Sequence, residues 1–271
     1  IRLADGEPWS ILMTRTGMTL LAALVIWSVW RLFSAKAPQL IPGRAGLVVA
    51  ALYGLGSITF ITAVFNTSTA NLVFILAFNP MFSALLSWLF LGERPRPATF
   101  VAMAAMIVGV AIIVGDSMGS GHLFGNVLAL SSALCIAGAI TISRASGKDM
   151  GFTSLIGVCL PFLVAAFMVG KTGYQVAEPW WIVFNGAVIM PISFFCLAAG
   201  PRYISGAEVS MFYLLETVLA PVWVWMIFTE VPSRDSLIGG AILIVSLVAH
   251  SLWQLHDGRR RRAALTASYP A

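Results

Sequence analysis

Long apolar runs recur along this chain, separated by short connections rich in Gly, Pro, Ser and Asn. They fall near residues 10–33, 44–65, 70–91, 97–115, 123–143, 151–170, 179–200, 207–229 and 236–255. Each approaches or exceeds the roughly 20 residues that carry an α-helix across the hydrocarbon core of a bilayer. Transmembrane β-strands are shorter and alternate in polarity, which these runs do not. Of the 271 residues, 59% are hydrophobic and 10% charged, against about 25% charged in soluble domains. The pattern therefore specifies an all-α polytopic membrane protein. It excludes a soluble enzyme, a disordered chain and a coiled coil.

Charge distribution sets an expected orientation. Arg31, Lys36, Arg44, Arg94, Arg96, Arg144, Lys148, Arg202 and Arg259 to Arg262 fall on one set of connections, twelve in all. Arg2, Lys171 and Arg234 make three on the other, and Arg15 lies within a span. Basic loops stay cytoplasmic, so the C-terminus is expected in the cytoplasm and the chain in the plasma (inner) membrane. Trp9, Trp180 and Trp181 then flank outer ends, while Trp88 and Trp253 lie near inner ends, as interfacial anchors do. The net charge of +5 does not suggest nucleic acid. Cys135, Cys159 and Cys196 all lie in apolar runs and read as packing residues.

An internal repeat organises the chain. Residues 68–108 align without gaps on 205–245 at an offset of 137, pairing Ser68/Ser205, Ala70/Ala207, Trp88/Trp225, Glu93/Glu230, Pro95/Pro232, Ala104/Ala241, Ile107/Ile244 and Val108/Val245. The Trp, Glu and Pro pairs are the informative ones. The expected divisions are 1–122, 123–257 and a basic tail at 258–271. The second copy holds five spans and the first four, and Ile1-Arg2-Leu3-Ala4 resembles Ile142-Ser143-Arg144-Ala145 at the end of the fifth. The expected whole is two five-helix repeats with ten spans, the first lying upstream of Ile1. An odd number of spans per copy makes the copies inverted, an architecture common in secondary transporters.

Phe78-Asn79-Pro80 followed by Trp88-Leu89-Phe90-Leu91-Gly92-Glu93-Arg94, with Leu215-Glu216-Thr217 followed by Trp223 to Glu230, resembles the drug/metabolite transporter superfamily of EamA type. Met13-Thr14-Arg15 fits the same resemblance. Two departures stand out: Thr217 where the family often has Pro, and Thr229 where it often has Gly. The resemblance implies a secondary transporter exporting a small organic metabolite, with bacterial amino-acid and metabolite exporters, including aromatic amino-acid exporters, as functional neighbours. It implies alternating access around a cavity between the repeats, no cofactor, and a monomer or weak homo-oligomer. The alternative class is an intramembrane enzyme, but the sequence carries no His-Glu-x-x-His and no Gly-x-Ser-x-Gly. No Walker motif offers ATP as a direct driver, and neither a catalytic residue nor a metal ligand is assigned.

Candidate binding residues follow from polarity within spans. Glu216 is mid-span, where a charge costs from about 3 to well over 10 kcal/mol; it serves as a substrate amine ligand or proton carrier, or as a buried hydrogen-bond partner of Tyr213. Asn79 is its repeat mate, and Pro80 removes the backbone donor to the Leu76 carbonyl. Asn79-Pro80 is either a cavity-lining break or an ordinary kink. Pro191, with Asn185-Gly186, is expected to interrupt another span in the same way. Arg15 is open between snorkelling to the outer headgroups and a carboxylate-binding or gating role. Tyr53, Phe60, Phe78, Tyr213 and Trp223 are candidates to line a pocket. Glu93 and Glu230 oppose the helix dipole at helix C-termini, so a basic partner is expected, with Arg94, Arg96 and Arg234 nearby. Ser205 and Glu208 read as a capping box.

Overall fold

A computed structural model of the chain describes residues 4–33, 39–95, 97–148, 150–193, 219–220, 222–223, 225–227, 229 and 233–268. The expected Glu216–Tyr213 site, Glu230, Pro232, Cys196 and the Ser205–Glu208 cap lie outside them. The helices are α1 (Pro8–Phe33), α2 (Gly43–Asn66), α3 (Thr69–Leu76), α4 (Asn79–Leu91), α5 (Pro97–Ser120), α6 (Leu123–Ser146), α7 (Gly151–Ile156), α8 (Cys159–Thr172), α9 (Pro179–Phe184) and α10 (Arg234–Ser268). A π-helical segment, Asn185–Ile189, continues α9. Among the described residues, seven helical stretches are long and apolar enough to cross a membrane, taking α3–α4 and α7–α8 as one each. The chain is an all-α polytopic membrane protein.

Where both are described, the apolar runs and the helices agree within a few residues, with two additions; most of the run over 207–229 and the end of that over 179–200 lie outside the described residues. The span over 70–91 turns at Ala77-Phe78, immediately before Asn79-Pro80. A second span, expected as continuous over 151–170, turns at Gly157-Val158 before Pro161. In both, proline stands inside the first turn of the resumed helix, where a missing N–H costs least. The basic tail is helical as far as Ser268.

The principal helix pairs are α2 with α6, α5 with α10, α1 with α8, α4 with α6 and α1 with the π-segment. Each joins an element before residue 122 to one after it. In lipid, helices gain little from hiding apolar surface from water, so association rests on close packing and small residues. The crossing of α5 and α10 illustrates this. A Cβ on Gly239 would lie 2.5 Å from the Gly109 carbonyl oxygen, and one on Gly109 would lie 2.8 Å from that of Gly239. A cluster of Phe74, Ile75, Phe78, Met81, Met106, Ile113 and Leu243 fills the space beside this crossing.

Polar ties join elements that are distant in sequence. The backbone before α1 pairs with the loop before α9 through an isolated bridge, Gly6 with Val176. Glu7 N–H donates to Gln175 O at 2.9 Å, and Glu178 N–H to Ala4 O at 3.0 Å. The Glu7 carboxylate accepts from Ser10 N–H at 3.0 Å and so caps α1. Ser236 Oγ donates to Asn71 Oδ1 at 2.6 Å, and Thr67 Oγ1 donates to Asn126 Oδ1.

The helix ends after Trp88 and Trp225 share one geometry. Gly92 has φ +70° and its N–H donates to Trp88 O at 3.2 Å. Thr229 has φ +51° and its N–H donates to Trp225 O at 3.0 Å. Both residue pairs are separated by the 137-residue offset read from the sequence. Glycine adopts the left-handed conformation freely, whereas an L-residue loses roughly 1–2 kcal/mol there. Thr229→Gly is therefore expected to stabilise the protein by about 1 kcal/mol, after the entropic cost of glycine. A raised melting temperature in detergent checks it; a lowered one would show that the Thr229 side chain contributes more than its backbone loses.

Candidate substrate site

Arg15 lies seven residues into α1, about 10 Å along it from Pro8 at 1.5 Å per residue. Its neighbours are set by a close approach of α1 to the π-segment. Gly186 sits against the Arg15 backbone, where a Cβ would fall 2.4 Å from Arg15 O. Thr19 Oγ1 donates to Gly186 O at 3.0 Å and ties the two helices one turn further along.

The local sequence allows the π-turn. Pro191 has no N–H to offer the Ala187 carbonyl, and Met190 N–H reaches back five residues to Asn185 O. An interruption was expected at Pro191; instead the chain stays helical as far as Ser193 and widens by one residue just before the proline. Such widened turns concentrate at functional sites. Pro191 is buried, and Asn185 Oδ1 is buried without a hydrogen-bond partner.

The Arg15 side chain does not settle among acceptors suited to it. Nη2 donates to Met190 Sδ at 3.3 Å, and a thioether is a weak acceptor. The Phe60 ring of α2 faces the guanidinium with its centroid 5.7 Å from Cζ. Nη1 is shielded from solvent and has no partner. The snorkelling reading expects the charged head to emerge at a span end; here it is enclosed by three helices. Phe60 also touches the large apolar cluster of Phe78 and Met81, and a smaller one of Leu12, Ile61 and Ala165. It thereby links the Arg15 layer to the α3–α4 turn.

At that turn, Asn79 begins α4 and its Oδ1 is buried without a partner, while Pro80 is exposed. Phe78 is buried and packs edge-on against Phe82, with centroids 4.8 Å apart. Tyr53 is half-buried on α2, with its Cβ beside Gly157 in the α7–α8 turn. Trp223 is 54% exposed. The structure brings Arg15, Phe60 and Met190 together, and Asn185 lies one π-turn before Met190 on the same segment. Asn79 belongs to the neighbouring turn, and Tyr53 to the packing of α2 against α7 and α8.

Gly54 and Gly56 are close-packing positions within an unbroken α2, and Ser132 Oγ donates to Gly56 O at 2.9 Å. The basic partner of Glu93 among the described residues is Arg144, at 3.1 Å, and not the adjacent Arg94; Arg96 lies outside the described residues. The expectation considered only nearby residues, but α6 ends beside α4. Both side chains are at least half exposed, so the pair adds little stability.

The sequence profile of the EamA-like transporter family matches residues 1–115 and 123–252. A transporter of Synechocystis sp. is 23% identical over 75% of this chain, which spans 63% of that relative's length. The pseudopaline exporter CntI of Pseudomonas aeruginosa is 24% identical over 75% of this chain and 72% of its own. A transporter of Archaeoglobus fulgidus is 24% identical over 76% of each. A solved crystal structure shares the fold with a TM-score of 0.61 at 17% identity, covering 92% of this chain and 89% of that one. The match extends through both halves of the sequence repeat and takes in the Arg15, Asn79 and Asn185 segments: the chain belongs to the EamA-like transporter family.

Proposed function

We propose that this protein is a secondary exporter of small organic metabolites, amino acids or closely related compounds, working by alternating access between two inverted repeats. One observation carries the reading. Polar atoms of Arg15, Asn185 and Asn79 are buried without hydrogen-bond partners among the described residues, in a bundle whose other buried polar groups are largely paired. Such groups are costly in a membrane interior and mark substrate or ion pathways. Membership of a transporter family and similarity to a pseudopaline exporter support the same class.

The protein resides in the inner membrane with its C-terminus in the cytoplasm, as the distribution of basic residues implies. Glu216 and Tyr213 add a second polar position through the repeat, in register with Asn79. Phe60 supplies apolar wall, and the chain departs from regular α-helix at Asn79-Pro80 and just before Pro191.

Reconstitution tests the reading. Proteoliposomes holding the purified protein are expected to exchange radiolabelled amino acids without ATP, and empty liposomes are not. Exchange that requires ATP, or no exchange of any amino acid, would remove this function.

A further inference from the structure

We propose that Arg15 and Asn185 form the polar end of the substrate site. Arg15 takes the carboxylate, and Asn185 takes the adjacent N–H donor, of an α-amino-acid-like ligand. The inference rests on the exporter reading and names the residues and the chemical class that reading leaves open.

The Arg15 guanidinium is cationic, enclosed, and without an ion pair among the described residues. A buried charge with no counter-charge is strongly unfavourable. The structure offers it a π face and a sulfur. The Phe60 ring lies 5.7 Å from Cζ and offers no acceptor for an in-plane N–H, and Nη1 has no acceptor among the described residues. A carboxylate fits the edge of a guanidinium with two parallel hydrogen bonds, a geometry that lysine cannot supply. Met190 Sδ holds the other nitrogen weakly. Its unbranched side chain adapts readily when a better acceptor arrives.

Asn185 supplies the complement. Its Oδ1 is an acceptor without a donor. Met190 N–H bonds to Asn185 O, placing Met190 one π-turn beyond Asn185 on the same segment. Arg15 reaches Met190 with its side chain and meets Gly186 with its backbone. A bare donor on α1 and a bare acceptor on the π-segment therefore belong to two elements that meet at Gly186 and Met190. An inorganic anion offers acceptors alone and leaves Asn185 unmatched. A simple amine leaves Arg15 unmatched. A carboxylate with a neighbouring amine or amide N–H satisfies both.

The test uses the full chain in proteoliposomes, with radiolabelled leucine, phenylalanine, histidine and lysine, each supplied as the free acid and as its primary amide. The wild type is expected to move at least one free acid about tenfold or more faster than its amide, the size of one charge-assisted hydrogen bond. Arg15→Gln is expected to remove that preference by slowing the acid while leaving the amide rate near its starting value. Asn185→Asp places a carboxylate beside Arg15 and is expected to suppress the acid selectively in a chain that folds normally. Wild-type transport of acids and amides at equal rates would overturn the inference while leaving the exporter reading intact. Equal loss of both probes in Arg15→Gln and Asn185→Asp would also overturn it, by showing that the two residues only hold helices together. If the wild type moves no acid and no amide, the exporter reading itself fails, and this inference with it.

Discussion

Gly186→Ala is expected to lower stability by about 1–3 kcal/mol and to abolish most transport, although it adds one methyl group. The new Cβ would stand 2.4 Å from Arg15 O and 3.0 Å from Met18 Cβ. The first is a backbone atom held in α1, so no side-chain rotation relieves the contact. The π-segment must then move away from α1, and overpacking of this kind costs roughly 1–3 kcal/mol. The same movement lengthens the Thr19–Gly186 hydrogen bond and withdraws Met190 and Asn185 from Arg15. Gly170→Ala is the matched control. It lies inside α8 with no atom within 4 Å of its ideal Cβ, and alanine in a helix interior is favoured by roughly 0.5–1 kcal/mol over glycine. Melting in detergent should fall for Gly186→Ala and hold or rise for Gly170→Ala. Equal melting temperatures for the two would mean that the α1 contact does not constrain the π-segment.

The local sequence carried the spans because each apolar run is bounded by residues that end helices or cannot sit in lipid. Gly92 and Pro95 bound α4, and Asn66 to Ser68 bound α2. The repeat offset was legible through Trp88/Trp225 and Glu93/Glu230, and it also aligns the left-handed residues Gly92 and Thr229. Other features depend on contacts between residues far apart in sequence. Arg144 finds Glu93 because α6 ends beside α4, a proximity absent from either segment alone. Phe60 is one of many aromatics until α2 brings its ring over Arg15. Asn185, Gly186 and Pro191 together signal an interruption. Whether the chain breaks or widens there depends on α1, whose backbone packs against Gly186. The turn at Gly157-Val158 had a sequence signal in Gly157 and Pro161; it shares a proline just past the turn with Asn79-Pro80, where no glycine precedes it. Glycine and proline are also common in uninterrupted membrane helices, so that signal alone did not decide the matter.

Glu216→Gln is expected to leave expression and folding near normal while removing transport or its dependence on pH. The argument begins with cost. Near the middle of its span, an ionised carboxylate loses from about 3 to well over 10 kcal/mol of solvation. It must therefore be protonated, paired or in contact with a wet cavity. The repeat offset makes Asn79 its counterpart, and Asn79 Oδ1 is a buried acceptor awaiting a donor at the start of α4. Inverted repeats bring such counterparts to similar depth at the interface between copies, where transporters hold their substrates and coupling ions. On the proposed reading, a carboxylate there complements Arg15 and Asn185: it holds a substrate ammonium when ionised and releases it on taking a proton. Glutamine preserves size and hydrogen bonding but can do neither. Counterflow in proteoliposomes, measured across a range of pH, separates the two roles. Loss of exchange with retained melting temperature assigns Glu216 to substrate binding or proton coupling. Normal exchange with an unchanged pH profile would make it a buried hydrogen-bonding residue and leave Arg15 and Asn185 as the polar elements of the site.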